Sequence, residues 1–176
     1  MAIHRLNHAV LYVRDVQRSV AFYQGVLGFV PIETMTFRGA AFLRAPGSAN
    51  DHDLGLFELG AQAQPSPAGR TSVGLYHLAW EVDTLSDLQD LAARLAEANA
   101  LVGASDHGTT KSLYGRDPDG LEFEIAWIVP ADRLDAAALQ ARTSIRPLDL
   151  AKEISQFGAD THGGIGVSRI ALGDAP

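Results

Sequence analysis

The apolar positions of this chain fall in short runs whose period switches between two and about 3.6, and one such switch occurs twice. Asn7-His8-Ala-Val-Leu-Tyr-Val-Arg-Asp15 and Tyr76-His77-Leu-Ala-Trp-Glu-Val-Asp83 are both strand-like, with a histidine near the start and an aspartate at the end. A helical pattern follows each. Val16, Val20, Tyr23 and Leu27 recur at spacings of four, three and four, with Asp15 placed to cap the helix and Gly28 to end it. In the second copy Leu85, Leu88, Leu91 and Leu95 play the same part, and Asn99 is placed to close the helix. Strand-type runs at 29–37, 40–45 and 53–59 follow the first helix, and runs at 101–105, 111–116 and 121–128 follow the second. Each half therefore predicts strand, helix, strand, strand, strand.

Gly60, Pro65, Ser66, Pro67 and Gly69 break the pattern between the copies. The organisation expected is a first βαβββ module over 1–60, a linker over 61–73, a second module over 74–129 and a C-terminal extension over 130–176. Each module leaves a sheet with one apolar face to bury. The expected class is therefore α+β, with two βαβββ modules pairing into a curved mixed sheet around a metal site. In the extension the pattern predicts a helix over 131–142, a short helix over 147–157 and then a loose glycine-rich tail, where His162 is solvated.

Composition narrows the function classes. The chain is 47% apolar and folded in character, and its net charge of −7 speaks against a binder of nucleic-acid backbones. The absence of cysteine removes disulfides, thiolate nucleophiles and Cys-ligated metal centres. Residues 1–13 lack the apolar segment of a secretory signal, and no run approaches the roughly 20 apolar residues of a membrane span. The expectation is a cytoplasmic protein that acts on a small molecule, without nucleic-acid or membrane partners.

Its candidate chemistry lies in His8, His77 and Glu124. The two histidines hold the same position in the two copies of the repeat. The carboxylate follows Asp117-Pro118-Asp119-Gly120, a tight-turn sequence that starts a third strand. Alternation there puts Phe123, Ile125 and Trp127 on one face and Glu122 and Glu124 on the other, with Glu124 further into the strand. Two imidazoles and one carboxylate on a divalent ion with open positions make the facial arrangement of non-haem Fe(II) oxygenases.

The stretch from His8 through Asp15 to Phe29, together with Asp117-Pro-Asp-Gly-Leu-Glu-Phe-Glu124, resembles the opening and ending of modules in the vicinal oxygen chelate superfamily. That superfamily contains glyoxalase I, bleomycin-resistance proteins and extradiol dioxygenases. The resemblance covers about residues 4–128 and departs at Leu121, where the family usually has asparagine. It implies paired βαβββ modules with His8, His77 and Glu124 as metal ligands.

Within that group, Asn50-Asp51-His52-Asp53-Leu-Gly-Leu-Phe-Glu58, Asp106-His107-Gly108 and Ser112-Leu-Tyr114 look most like compact catechol 2,3-dioxygenase-like proteins. The likeness implies Tyr114, ten residues before Glu124, as a hydrogen-bonding partner of bound substrate, and His107 as a pocket acid/base. It also implies Fe(II), with Mn, Ni or Zn as alternatives, a catechol-like substrate with dioxygen, and a homodimer. Glu58 supports a second reading. At the end of the first half's last strand it reads as the counterpart of Glu124, and a four-ligand set would suit a glyoxalase-type lyase. A third reading is a binding protein of the bleomycin-resistance type without catalysis. His52, between two acids, reads as a solvated or entrance residue.

Overall fold

The computed structural model describes Ile3, residues 5–69 and residues 71–168, grouped in two compact units. The first runs through Pro67 and takes in the turn Asp117–Leu121; the second holds Ala68–Arg116 and the chain from Glu122 onward. Among the described residues no helix is long and apolar enough to cross a membrane.

In the first unit β1 (Ala9–Val13) leads into α1 (Val16–Gly25), followed by β2 (Val30–Pro31), β3 (Ala40–Arg44) and β4 (Leu54–Glu58). The sheet order is β1-β4-β3-β2, with β1 parallel to β4 and the other pairs antiparallel. The Asp15 side chain accepts the Arg18 N–H at the start of α1, as its position predicts. Gly28, at φ +80°, ends the helix: Gly28 N–H donates to Gln24 O, the single bond of an αL cap, and Phe29 N–H reaches back to Tyr23 O. Leu11, Val13, Leu43, Leu54 and Leu56 form the buried sheet face, with Val16 and Tyr23 of α1 in the same core. Asp119 accepts from the Arg14 backbone and guanidinium at 2.9 Å each and from Arg18 at 2.5 Å, and the Tyr23 hydroxyl donates to Asp117. The turn is thereby held to α1 and the end of β1.

The strand expected over 29–37 shrinks to two residues. Pro31 has no N–H to extend the ladder, and Met35 and Thr36 donate back to Ile32 and Glu33 in a 3-10 turn.

The second unit repeats the pattern with β5 (His77–Glu81), α2 (Leu85–Glu97), β6 (Leu101–Asp106), β7 (Thr110–Arg116) and β8 (Glu122–Ile128). Its sheet order is β5-β8-β7-β6-β9, where β9 is Arg146–Pro147 from the extension. Thr84 and Asp87 form a capping box at the start of α2, and Asn99, at φ +54°, closes it through Ala100 N–H to Leu95 O. Leu85, Leu88, Leu91 and Leu95 are all buried, as their spacing requires.

The extension contributes α3 (Ala136–Ala141), capped by Asp135, and α4 (Leu150–Phe157), capped by Asp149. A 3-10 turn at Ala131–Arg133 replaces the first part of the helix expected over 131–142. The glycine-rich segment is tied down rather than loose as far as it is described. Gly163 N–H donates to Asp83 O, Gly164 N–H to Ile128 O, and the Trp127 indole N–H to Thr161 O. A Cβ at Gly163 would stand 2.9 Å from both Ile128 O and the Trp127 ring, so glycine is what lets the segment lie there. His162 is exposed, as expected.

Candidate functional site

Strand pairing brings His77 and Glu124 together within the second unit. β5 and β8 are parallel, with Ala79 opposite Glu124. His77, two residues earlier on β5, shares the face of Ala79. Its Nε2 lies 3.0 Å from Glu124 Oε2, and the two side chains are 25% and 14% exposed. Ser112 of β7 donates its hydroxyl to Glu124 Oε1 at 2.5 Å. Glu122, the other acid on that face, pairs instead with Arg116 at 2.7 Å. Local chemistry sets this register. Asp117 accepts the backbone N–H groups of Asp119 and Leu121, and Gly120 takes φ +83°, so the chain reverses and enters β8 with Glu124 opposite Tyr114.

The same strands join His107 to Tyr114. The Tyr114 hydroxyl and His107 Nε2 are 2.9 Å apart, and the Tyr114 and His77 ring centroids are 5.9 Å apart. Burial, and next the Glu124 charge, push the Tyr114 phenol above its ordinary pKa, so it keeps its proton at neutral pH. His107 Nδ1 faces the Ser144 carbonyl at 3.3 Å. Ser112 carries no assigned role in the sequence pattern. Its signal is alternation, two residues before Tyr114 on the same strand face.

His8 lies in the first unit, immediately before β1. Its Nδ1 is 2.7 Å from Asn7 Oδ1, and its ring stacks obliquely on His52 with centroids 4.4 Å apart. His52 is no freely solvated side chain. It is 15% exposed, has the Asp51 carboxylate 3.1 Å from Nδ1, and meets the Phe42 ring edge-on at 5.0 Å. Beside it Asp53 would be raised by burial, but the Ala45 N–H, Ser48 and Asn50 hold its carboxyl below the usual range.

Register corrects the reading of Glu58. On β1, Val10 stands where Ala79 stands on β5, and Val10 pairs with Gly55. Gly55 is therefore the counterpart of Glu124, whereas Glu58 pairs with Val13 and its Oε2 accepts the Val16 N–H at 3.0 Å. Its charge stands at the positive end of α1.

The donor types and spacing of His77 and Glu124 suit a divalent ion. Two donors bonded at about 2.1 Å to one ion at a right angle stand about 3.0 Å apart, and these two stand at 3.0 Å. Among the described residues the buried His77 Nδ1 has no hydrogen-bond partner, so the ring's polar contact is through Nε2, with the Tyr76 and Tyr114 rings beside it. Among the described residues no three His, Asp or Glu side chains gather as a ready-made cage; the second unit offers these two donors.

The family model of the Glyoxalase/Bleomycin resistance protein/Dioxygenase superfamily matches residues 5–125, and the chain belongs to that superfamily. It is 34% identical over 120 residues to a catechol-2,3-dioxygenase of Bacillus subtilis (strain 168), which covers 68% of this chain but only 40% of that protein. It is 30% identical over 127 residues to a lactoylglutathione lyase of Neisseria meningitidis serogroup A, covering 68% of this chain and 88% of the lyase. In structure it is similar to a glyoxylase/bleomycin resistance protein/dioxygenase domain from Frankia sp. EAN1pec, with a TM-score of 0.59 and 26% identity over 71% of this chain and 92% of the other. With a dioxygenase and a lyase both among its relatives, membership alone does not select the reaction.

Proposed function

We propose that the protein is a ring-cleaving dioxygenase for catechol-type substrates, with Fe(II) held by His8, His77 and Glu124. The observation that carries this reading is the Tyr114–His107 hydrogen bond, which ends beside Glu124 on one strand face. Bound Fe(II) would supply the charge that favours a deprotonated catechol and the redox chemistry that joins it to dioxygen. The chain's own side chains do the rest. Glu124 offsets part of the metal's charge, and Ser112 fixes the carboxylate's orientation through Oε1. Tyr114 keeps its proton and presents a phenol oxygen to a substrate hydroxyl. His107, in hydrogen-bond reach of Tyr114, takes up or returns a proton at Nε2. Substrate oxygen atoms would occupy the positions that two imidazoles and one carboxylate leave open. The same reading takes residues 1–60 and 74–129 as the two site-forming modules, 61–73 as their linker and 130–176 as the extension. It includes a cytoplasmic homodimer.

The lyase reading, with Ni or Zn, needs a second carboxylate, and Glu58 is instead engaged at the start of α1. A non-catalytic binder has no use for the Tyr114–His107 pair.

Protein loaded with Fe(II) should consume oxygen and form a yellow ring-opened product with some member of a panel of substituted catechols. His107→Phe should retain iron and slow turnover by about 10²–10⁴-fold. Neither uptake nor chromophore from fully iron-loaded protein would end the dioxygenase reading. Isomerisation of a hemithioacetal by the Ni- or Zn-loaded protein would put the lyase in its place.

A further inference from the structure

His107 occupies the tight turn between β6 and β7, and the C-terminal extension packs on that turn from several sides. Helix α3 lies against Gly108, where a Cβ would stand 2.5 Å from Ala138 O and 2.8 Å from Ala141 Cβ. Arg146 of β9 stands opposite Asp106 of β6, and their charged groups meet at 2.8 Å. Asp106 also accepts the Gly108 N–H at 2.8 Å and the Lys111 ammonium at 2.6 Å, and Lys111 reaches Glu153 of α4 at 2.9 Å. Between α3 and β9 the Ser144 carbonyl faces His107 Nδ1. A carbonyl oxygen can only accept, so Nδ1 carries the proton in this contact. In a neutral imidazole Nε2 is then an acceptor, and the Tyr114 hydroxyl donates to it.

We propose that the C-terminal extension is a positioning element for His107, in which the Ser144 carbonyl holds the imidazole as its Nδ1–H tautomer. That choice turns the Tyr114 proton toward Nε2 and leaves the phenol oxygen as an acceptor for a ligand hydroxyl. The inference rests on reading His107 and Tyr114 as the acid–base pair of the site. The residues that impose it lie beyond the family match, which ends at residue 125. Free neutral histidine favours the Nε2–H form, so the imposed tautomer is a measurable imprint.

The test is long-range proton–nitrogen NMR on the metal-free, full-length chain labelled with ¹⁵N-histidine, at a pH about two units above the ordinary imidazole pKa. His107→Phe identifies the signal. The expected spectrum has Nδ1 protonated and Nε2 bare. Tyr114→Phe removes the other partner and should leave that pattern intact. Gly108→Ala forces α3 away and Arg146→Ala frees β9. Each should move the ratio of tautomers toward Nε2–H by about tenfold, the effect of losing one ordinary hydrogen bond, and Arg146→Lys should restore it. Should Gly108→Ala fail to fold, Arg146→Ala, at a side chain 52% exposed, decides alone. An Nε2–H signal in the unaltered protein, a flip caused by Tyr114→Phe, or an unmoved ratio in the folded extension variants overturns the proposal. No metal, substrate or turnover enters the measurement, so its failure is distinct from failure of the oxygen-uptake assay.

Discussion

Replacing Lys111 by methionine should destabilise the protein by about 3–5 kcal/mol at neutral pH, the scale for removing one partner of a buried ion pair. The lysine side chain is 4% exposed, and its two carboxylate partners, Asp106 and Glu153, are 11% and 6% exposed. Methionine keeps the apolar stem in place and gives up the ammonium's position 5.7 Å from the Phe157 ring centroid, so the loss is electrostatic rather than a cavity. Asp106 would retain the Gly108 N–H and Arg146, whereas Glu153 would lose its ion pair. At about 2–4 °C per kcal/mol for a chain of this size, the melting temperature should fall by about 6–20 °C. Urea unfolding followed by the fluorescence of buried Trp127 should show a lower midpoint at an unchanged slope.

Dependence on pH gives the same argument a second edge. Burial alone would raise the Asp106 carboxyl, but hydrogen bonds from Lys111 and the Gly108 N–H, with the Lys111 and Arg146 charges, hold it below its ordinary value. A depressed folded-state pKa stabilises above the unfolded-state value, and the contribution disappears as pH falls through the folded one. Without Lys111 that depression is partly relieved, since the Gly108 N–H and Arg146 remain, so the gap between parent and variant should be widest near neutrality. It should narrow below about pH 4, where the unfolded carboxyl protonates. A gap under about 1 kcal/mol, the scale of an exposed pair, or one unchanged between pH 7 and that range, would refute the reasoning.

Ser112→Ala should weaken metal retention by about 10–100-fold in a chelator competition, because the hydroxyl orients the Glu124 carboxylate. Glu58→Gln should leave metal content unchanged and cost about 1 kcal/mol or less in urea unfolding, since its carboxylate accepts the Val16 N–H at the start of α1. Equal loss of metal in Glu58→Gln and Glu124→Gln would restore the four-ligand reading. Gly115→Ala should cost about 1–3 kcal/mol by overpacking, because the new methyl would press into the buried Phe123 ring.

What the sequence showed and what it hid divide along physical lines. The leucines of α2 and the caps at Asp15, Gly28 and Asn99 were legible because helical period and chain reversal are local properties. So was the meeting of His77 with Glu124, since it needs only a repeat, a turn and strand alternation. Glu58 was misread from its place at a strand end. Glu124 stands forty-seven residues after His77, and forty-seven after His8 stands Gly55. Counting would have found what the ladder shows. Other features had no local signal to find. Ser144 acts through a backbone carbonyl that any residue would carry, and the seat of Gly163 on Trp127 depends on a surface formed only in the fold.

Each sheet ends, on one side, in a strand of two residues whose second is proline: Val30–Pro31 beside β3, and Arg146–Pro147 beside β6. Proline offers no N–H to an incoming strand, so neither outer strand is a template that another chain could extend far. For the second sheet this protection is supplied by the extension alone. A chain cut before Arg146 would free Ser105 and Asp106, the two β6 residues that β9 pairs, and leave the edge of all six β6 residues open, where exposed Val102 adds an apolar contact. The extension thereby guards against aggregation at that edge, and a truncated chain should be lost to strand-on-strand assembly before its chemistry could be compared with that of the intact protein.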